Sequence, residues 1–517
     1  MASYDAEKQP ALEGTPGALS ATSNSHCDNV KADKLARKLS PRQVQMIAIG
    51  GTIGTGLYLG TSRALATGGP ASLLLAYMIC GAIVFVTMLS LGEMVAFMPV
   101  AGSFCTFAGR FVDDALGFSL TWNYWANDAV STASDIIALQ VLLEYWTDRF
   151  PGWALSLICL AFVLCLNLCS VRVFGETEYW LCLLKVVTII VFTIVGDAPF
   201  VGGVGGFASV FVTASFAYGG TENVAVTAGE TKDPARTYPK VIRNVFWRIL
   251  LFYVVSIIII GLDVPYNYPN LSSESSSTSA FTIVFTEAGS TVAGSFINAV
   301  VMTSAISAAN HALFAGSRLL YTLGVEGYAP RQLIYLNRFQ VPWVAVLATM
   351  TISALCFGAS KIGAGQLWSW LQNLVGVSNQ ISWICICMAS LRFRAAIRRQ
   401  NMEHLLPFKN FTYPIGPALA VVLNIFLVLV QGWSSFSLRF DVVNFVSYYI
   451  EIPIMVFMFL GWKLYKKTKV VRLDEIDLLT DRYRLENEET VVTSPGSDTT
   501  PKRGWLRISN NIRNWIL

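Results

Sequence analysis

Charge is scarce in this chain. Asp, Glu, Lys and Arg make up 14% of its 517 residues, against roughly 25% in soluble proteins. Apolar residues reach 54%, and too little charged surface remains to cover them, which excludes a set of ordinary soluble domains. Histidine is rarer still. His26, His311 and His404 are the three present, too dispersed to hold zinc together. The ten cysteines are scattered. Cys80, Cys159, Cys165, Cys182, Cys356, Cys385 and Cys387 fall inside apolar runs and read as small buried hydrophobes. The Cys-x-Cys at Cys385 and Cys387 places its side chains on different faces of a helix, which argues against a metal site. No nucleophile triad, metal cluster or phosphate loop is legible, so neither an enzyme nor a cofactor is expected. The net charge of +4 does not point to nucleic acid. The first forty residues hold no apolar h-region and no cleavage site, so insertion is expected to begin with the first span itself.

What charge there is lies at the ends. Residues 1–43 and 463–517 are polar, and the stretch between carries runs of the ~20 apolar residues that cross a hydrocarbon core. The chain therefore reads as an all-α membrane protein of about twelve spans. They are expected at 44–66, 71–97, 117–146, 153–171, 180–196, 204–228, 244–263, 291–323, 341–358, 366–390, 414–433 and 441–463. The domain division is a disordered N-tail (1–43), a transmembrane domain (44–465) and a C-tail (466–517). One set of loops holds Lys232, Arg236, Lys240, Arg243, Arg331, Arg338, Arg392, Arg394, Arg398 and Arg399. The opposite set holds little beyond Arg149, Lys361 and Arg439. The positive-inside rule assigns the first set and both tails to the cytoplasm. On the outer side, Asn270-Leu271-Ser272 fits a glycosylation triplet.

Two spans are interrupted. Span one contains Gly50-Gly51-Thr52-Ile53-Gly54-Thr55-Gly56, and span six contains Phe216-Ala217-Tyr218-Gly219-Gly220-Thr221-Glu222. Glycine weakens a helix by about 1 kcal/mol relative to alanine. Unpaired backbone at mid-membrane persists where it is buried in protein or lines a cavity. Close helix packing through small residues is the competing reading; it accounts for single glycines better than for this cluster. A broken helix presents N–H groups to a carboxylate at the start of its second half and carbonyls to an ammonium at the end of its first. Two breaks five spans apart form a zwitterion site of the kind built by inverted-repeat secondary transporters.

Further motifs stand in order around these breaks: Ser90-Leu91-Gly92-Glu93-Met94, Gly102-Ser103-Phe104, Trp122-Asn123-Tyr124-Trp125, Thr227-Ala228-Gly229-Glu230-Thr231 and Gly316-Ser317-Arg318-Leu319-Leu320-Tyr321. With the two breaks, they make residues 40–485 resemble fungal amino-acid permeases of the yeast amino acid transporter family, within the amino acid–polyamine–organocation superfamily. The resemblance implies a LeuT-like 5+5 inverted repeat with helices one and six broken, plasma-membrane location, and amino-acid import with protons. By motif, the substrate carboxylate would meet backbone near Thr52, Ile53, Gly54, Thr55 and Gly56. The ammonium would meet carbonyls near Phe216 and Ala217, with Tyr218 as a lid or wall or, equally, as a packing aromatic.

Ionisable residues inside spans are functional candidates by default. Asp135 stands where the family usually has glutamate. Lys185 matches a family lysine that stands where sodium sits in sodium-coupled relatives. These two are the proton-coupling candidates, with pairing that merely holds the bundle together as the competing role. Tyr124, Asp128, Ser131 and Asp135 share one helical face. Asp128, Ser131 and Glu222 are added to the substrate-binding candidates, and two acids on one face favour a basic or broad-range substrate. His311 reads as packing or as a shaper of the pocket. Span five, taken as 180–196, is slightly short of the core thickness, and its link to span six is shorter than in the family.

The expected partners are an amino acid, protons and membrane lipid, with ubiquitin ligase or endocytic adaptors at the tails through Lys31, Lys34 and Lys38. Residues 470–490 read either as a cytoplasmic helix or as a solvated tail. The alternatives to a symporter are a non-transporting amino-acid sensor and a transporter of a related amine such as choline, γ-aminobutyrate or a polyamine.

Overall fold

The apolar runs fold as helices. A computed structural model describes residues 39–482, except 51–52, 148, 191–202, 232, 269–270, 272–278, 288 and 437–439. The expectations for the N-tail lysines, Thr52, the Asn270 triplet, the Lys185 side chain and the link between spans five and six fall outside the described residues. Among those residues the only extended pairing is an isolated bridge between Leu39 and Thr231.

The first apolar run forms α1 (Pro41–Gly50), α2 (Thr55–Tyr58) and the start of α3 (Gly60–Phe97). Within α3 the backbone turns at Gly69, whose φ of 77° suits glycine, and Pro70 follows with no N–H to donate. That kink is where the sequence separates spans one and two. Next come α4 (Phe104–Phe111) and α5 (Asp114–Leu143). Asp113 caps α5 by accepting the Ala115 N–H at 3.0 Å. The chain continues through α6 (Gly152–Leu168), α7 (Val171–Ile190), α8 (Gly203–Tyr218) and α9 (Asn223–Val226). A second long rod follows: α10 (Pro234–Arg248), a π-helical stretch at Ile249–Val255, and α11 (Ser256–Asp263). The rest is α12 (Ala280–Glu287), α13 (Thr291–Glu326), α14 (Trp343–Ser353), α15 (Ala359–Ile362), α16 (Ala364–Arg399), α17 (Ile415–Val430), α18 (Val442–Tyr449) and α19 (Glu451–Lys466).

By length and apolarity, five of the described helical rods can cross a membrane, or six when α18 and α19, bent by 42°, count as one. The long α5 packs against both α13 and α16, and α3 lies along α8. Their facing sides are rich in buried Ser, Thr, Asn and Gln, including Ser304, Ser307, Asn310, Asn373, Asn379 and Gln380. Outer helices do the reverse. On α17, Leu419, Val422, Phe426 and Leu429 are all more than half exposed. Apolar outside and polar inside is the distribution that a hydrocarbon solvent selects.

Two expectations are corrected. The helix of span five extends beyond the expected 180–196 at its start: it begins at Val171, and its 20 residues rise about 30 Å. Glu176 and Glu178 interrupt the apolar pattern and hide this start. Glu176 pairs with Arg42 at 3.3 Å, and buried Glu178 accepts from Ser307 and Asn310 of α13. The described part of 470–490 is neither a helix nor a solvated tail. Residues 470–482 form a strap of turns and irregular backbone tied to Arg110 of α4 and Arg392 of α16. Ile476 and Leu478 are buried, the Val471 N–H donates to the Val112 carbonyl, and Gln400 donates to the Leu473 and Ile476 carbonyls.

Candidate functional site

The two breaks meet. An added Cβ on Gly56 would lie 2.5 Å from Ala217 Cα, so the start of α2 and the end of α8 approach at backbone distance. Each break is held by side chains that occupy its carbonyls. At the first, Ser304 of α13 donates to the Ile53 carbonyl at 3.0 Å and Tyr77 of α3 to the Gly56 carbonyl at 3.4 Å. At the second, Tyr253 of the π-helical stretch donates to the Ala217 carbonyl at 2.7 Å. Asn379 of α16 donates to the Ser215 carbonyl at 3.2 Å, and Thr221 to the Tyr218 carbonyl at 2.7 Å. Gly220 turns this break with φ of 82°, which glycine adopts at no steric cost.

A cavity opens between the breaks and α5. It is lined by Gly54, Thr55, Gly56, Asn127, Asp128, Ser131, Asp135, Phe216, Ala217, Gly219, Gly220, Asn223, Ala308, His311, Ala312, Val375 and Asn379. Of the residues singled out in the sequence, Gly54, Thr55, Gly56, Asp128, Ser131, Asp135, Phe216 and Ala217 meet here. Thr55 donates to Asp135 at 2.6 Å, tying the first break to α5. Others stand back from the cavity. The Ile53 carbonyl is turned to Ser304. Tyr218 is buried with its hydroxyl on the Tyr77 carbonyl at 3.1 Å and its ring against Tyr253, so it braces the break from behind. Glu222 accepts from Tyr124 at 2.7 Å in the packed interior.

Several lining residues escaped the sequence reading. Asn127, Asn223 and Asn379 are buried amides that line the cavity; His311, read as packing or as a shaper of the pocket, lines it too. The missed signal was the amides of span ten: Gln372, Asn373, Asn379 and Gln380 stand in an apolar run, where polar side chains ask for an explanation.

The buried polar atoms of three lining residues share one character. Asn223 donates to Asp128 Oδ1 at 3.0 Å, and Asn127 donates to Asn379 at 3.1 Å. Asn127 Oδ1, Asp128 Oδ2 and Asn223 Oδ1 are then buried without a hydrogen-bond partner. All three are acceptors. A guest that satisfies them must bring N–H or O–H groups.

Comparison with known proteins decides the family. The description "Amino acid permease" matches residues 43–475. The chain belongs to the amino acid permease family. A probable amino-acid permease of Schizosaccharomyces pombe is 44% identical, over 89% of this chain and 98% of the relative. The lysine-specific permease of Escherichia coli is 40% identical over 87% and 98%. The basic amino-acid permease of Saccharomyces cerevisiae is 34% identical over 91% and 88%. This permease is a multi-pass membrane transporter rather than an enzyme, and its apolar outer helices and polar centre are the physical expression of that setting.

Proposed function

We propose that this permease imports amino acids across the plasma membrane by proton symport, with a preference for basic side chains. In this reading about twelve spans form a LeuT-like 5+5 inverted repeat between cytoplasmic tails at 1–43 and 466–517. Spans one and six are the broken pair.

The observation that carries the substrate preference is the trio of unpartnered acceptors, Asn127 Oδ1, Asp128 Oδ2 and Asn223 Oδ1. An ammonium offers three N–H donors and a positive charge, which suits two amide oxygens and a carboxylate oxygen. The substrate carboxylate is assigned to the backbone at Gly54, Thr55 and Gly56, and the α-ammonium to the Phe216 and Ala217 segment. The Ala217 carbonyl already accepts from Tyr253 and has one lone pair left for a second donor. Relatives named for lysine and for basic amino acids support the same preference. Asp135, bonded to the first break through Thr55, and Lys185 are the assigned proton-coupling groups.

The test is a panel of labelled amino acids in a transport-deficient host, with and without a protonophore. Uptake of lysine or arginine that collapses with the protonophore supports the reading. Uptake confined to neutral amino acids, or unaffected by the protonophore, contradicts it.

A further inference from the structure

The last membrane-spanning segment hides an acid. Between Asp441 and Lys463 the sequence carries a single ionisable carboxylate, Glu451. It sits where α18 gives way to α19 with a 42° bend. Pro453 explains the break: it has no N–H, and its ring would clash with the carbonyl of Tyr449, the last residue of α18. Glu451 is 8% exposed. One oxygen accepts from Asn123 of α5 at 2.7 Å, and the other, Oε2, is buried without a partner.

Asn123 and Ser378, whose side chains both hydrogen-bond Glu451, belong to the helices that wall the cavity. Asn123 also donates to Ser378 of α16 at 2.9 Å. Asn123 stands one turn from Asn127, Ser378 is next in sequence to Asn379, and Asn127 and Asn379 both line the cavity. Helices α5, α16 and α18 pack against α19. The titratable groups they bring nearest in register are Tyr124 and Asp128 on α5, Cys385 and Cys387 on α16, and Tyr448 and Tyr449 on α18. Among the described residues no Lys or Arg forms an ion pair with Glu451.

An ionised carboxylate at this depth, with one oxygen bare, is costly in a low-dielectric interior. Retaining an acid there for packing alone is a poor use of the position, since an amide or an apolar residue would fill it without that cost.

We propose that Glu451 is a proton-binding residue of the transport cycle, joined to the substrate cavity through Asn123 and Ser378. This rests on the proton-symport reading above. The proton adds to Oε2 as an O–H and leaves from the same oxygen, and no other bond changes. In the conformation described the packing of α5 and α16 over α19 holds it in place. Release requires water at Oε2, so it is tied to the helix movement that opens the cavity wall.

The full chain, reconstituted in liposomes, separates the possibilities. Accumulation of labelled lysine under an imposed pH gradient reads coupling, and counterflow of labelled lysine without a gradient reads binding and helix movement alone. Glu451→Gln is expected to lower accumulation roughly tenfold or more while counterflow stays within about threefold of the unsubstituted protein, and Glu451→Asp should restore part of the accumulation. Unchanged accumulation in Glu451→Gln overturns the proposal. So does an equal loss of accumulation and counterflow, which would mark a positioning role. An unsubstituted protein that does neither sinks the transport reading itself rather than this assignment.

Discussion

Gly56→Ala is the sharpest perturbation of the geometry at the breaks. The new Cβ would lie 2.5 Å from Ala217 Cα and 3.0 Å from Ala217 N and Cβ. Contacts under 3.0 Å are essentially never seen for real Cβ atoms, so the two segments must separate by roughly 0.5–1 Å to restore packing. No rotamer change relieves this, because the obstructing atoms are backbone. Tyr253 further pins the Ala217 carbonyl. Overpacking of this kind costs about 1–3 kcal/mol, which corresponds to roughly 5–150-fold in an equilibrium constant. It falls on two segments that line the cavity. Gly461→Ala in α19 is the matched control, since nothing lies within 4 Å of its added Cβ. The assays are thermal unfolding in detergent and initial lysine uptake in liposomes. Gly56→Ala should lower uptake roughly fivefold or more, while Gly461→Ala behaves as the unsubstituted protein. Normal uptake and stability in Gly56→Ala would refute the close approach of the two breaks.

Other substitutions probe separate parts of the account. Asp128→Asn keeps the shape of the site and removes its charge. It should weaken lysine by about 1.5–3 kcal/mol, the value of a charge-assisted hydrogen bond, and leave neutral competitors nearly unchanged in uptake assays. Arg318 and Glu230 form a buried ion pair at 3.0 Å with exposures of 3% and 1%. Arg318→Met removes the carboxylate's buried ion-pair partner and should destabilise by about 3–5 kcal/mol, read as a lower unfolding temperature; adding Glu230→Gln should recover part of the loss. Asp113 anchors Lys463 and Thr468 near the strap. Burial acts to raise its carboxyl, but the bonds from Lys463, Thr468 and the Ala115 N–H hold it below the ordinary value of 3.8. A depressed carboxyl contributes stability above its unfolded pKa and loses it as pH falls through the folded one. Unfolding temperature should therefore drop on acidification below about pH 4, and this component should be missing in Asp113→Asn.

The sequence announced the breaks because glycine clusters are rare in apolar runs, and it announced the polar face of α5 because Tyr124, Asp128, Ser131 and Asp135 repeat at helical spacing. The start of α7 was hidden because two acids interrupt the hydropathy pattern. Glu176 finds its partner on α1 and Glu178 on α13, contacts far apart in the chain. Tyr218 left two readings open in the sequence, a lid or wall and a packing aromatic. Its ring lies against Tyr253 and its hydroxyl donates to the Tyr77 carbonyl, contacts from distant segments that no local pattern displays. Asn379 was overlooked for the same reason: its partners, Ser215 and Asn127, lie on two other helices. What the sequence shows is local periodicity and composition; which carbonyl each long-range side chain satisfies is a property of the packed bundle.

The central claim is that the cavity between the two breaks holds a zwitterion with a second cation on its side chain. Equilibrium binding of labelled lysine to the purified full chain tests it most directly, with displacement by norleucine, which lacks the side-chain ammonium, and by cadaverine, which lacks the carboxylate. Both are expected to displace lysine at least tenfold more weakly than unlabelled lysine does, a difference of about 1.4 kcal/mol for each missing group. Norleucine equal to lysine would contradict the role of the three acceptors at Asn127, Asp128 and Asn223, and cadaverine equal to lysine would contradict the carboxylate site at Gly54–Gly56.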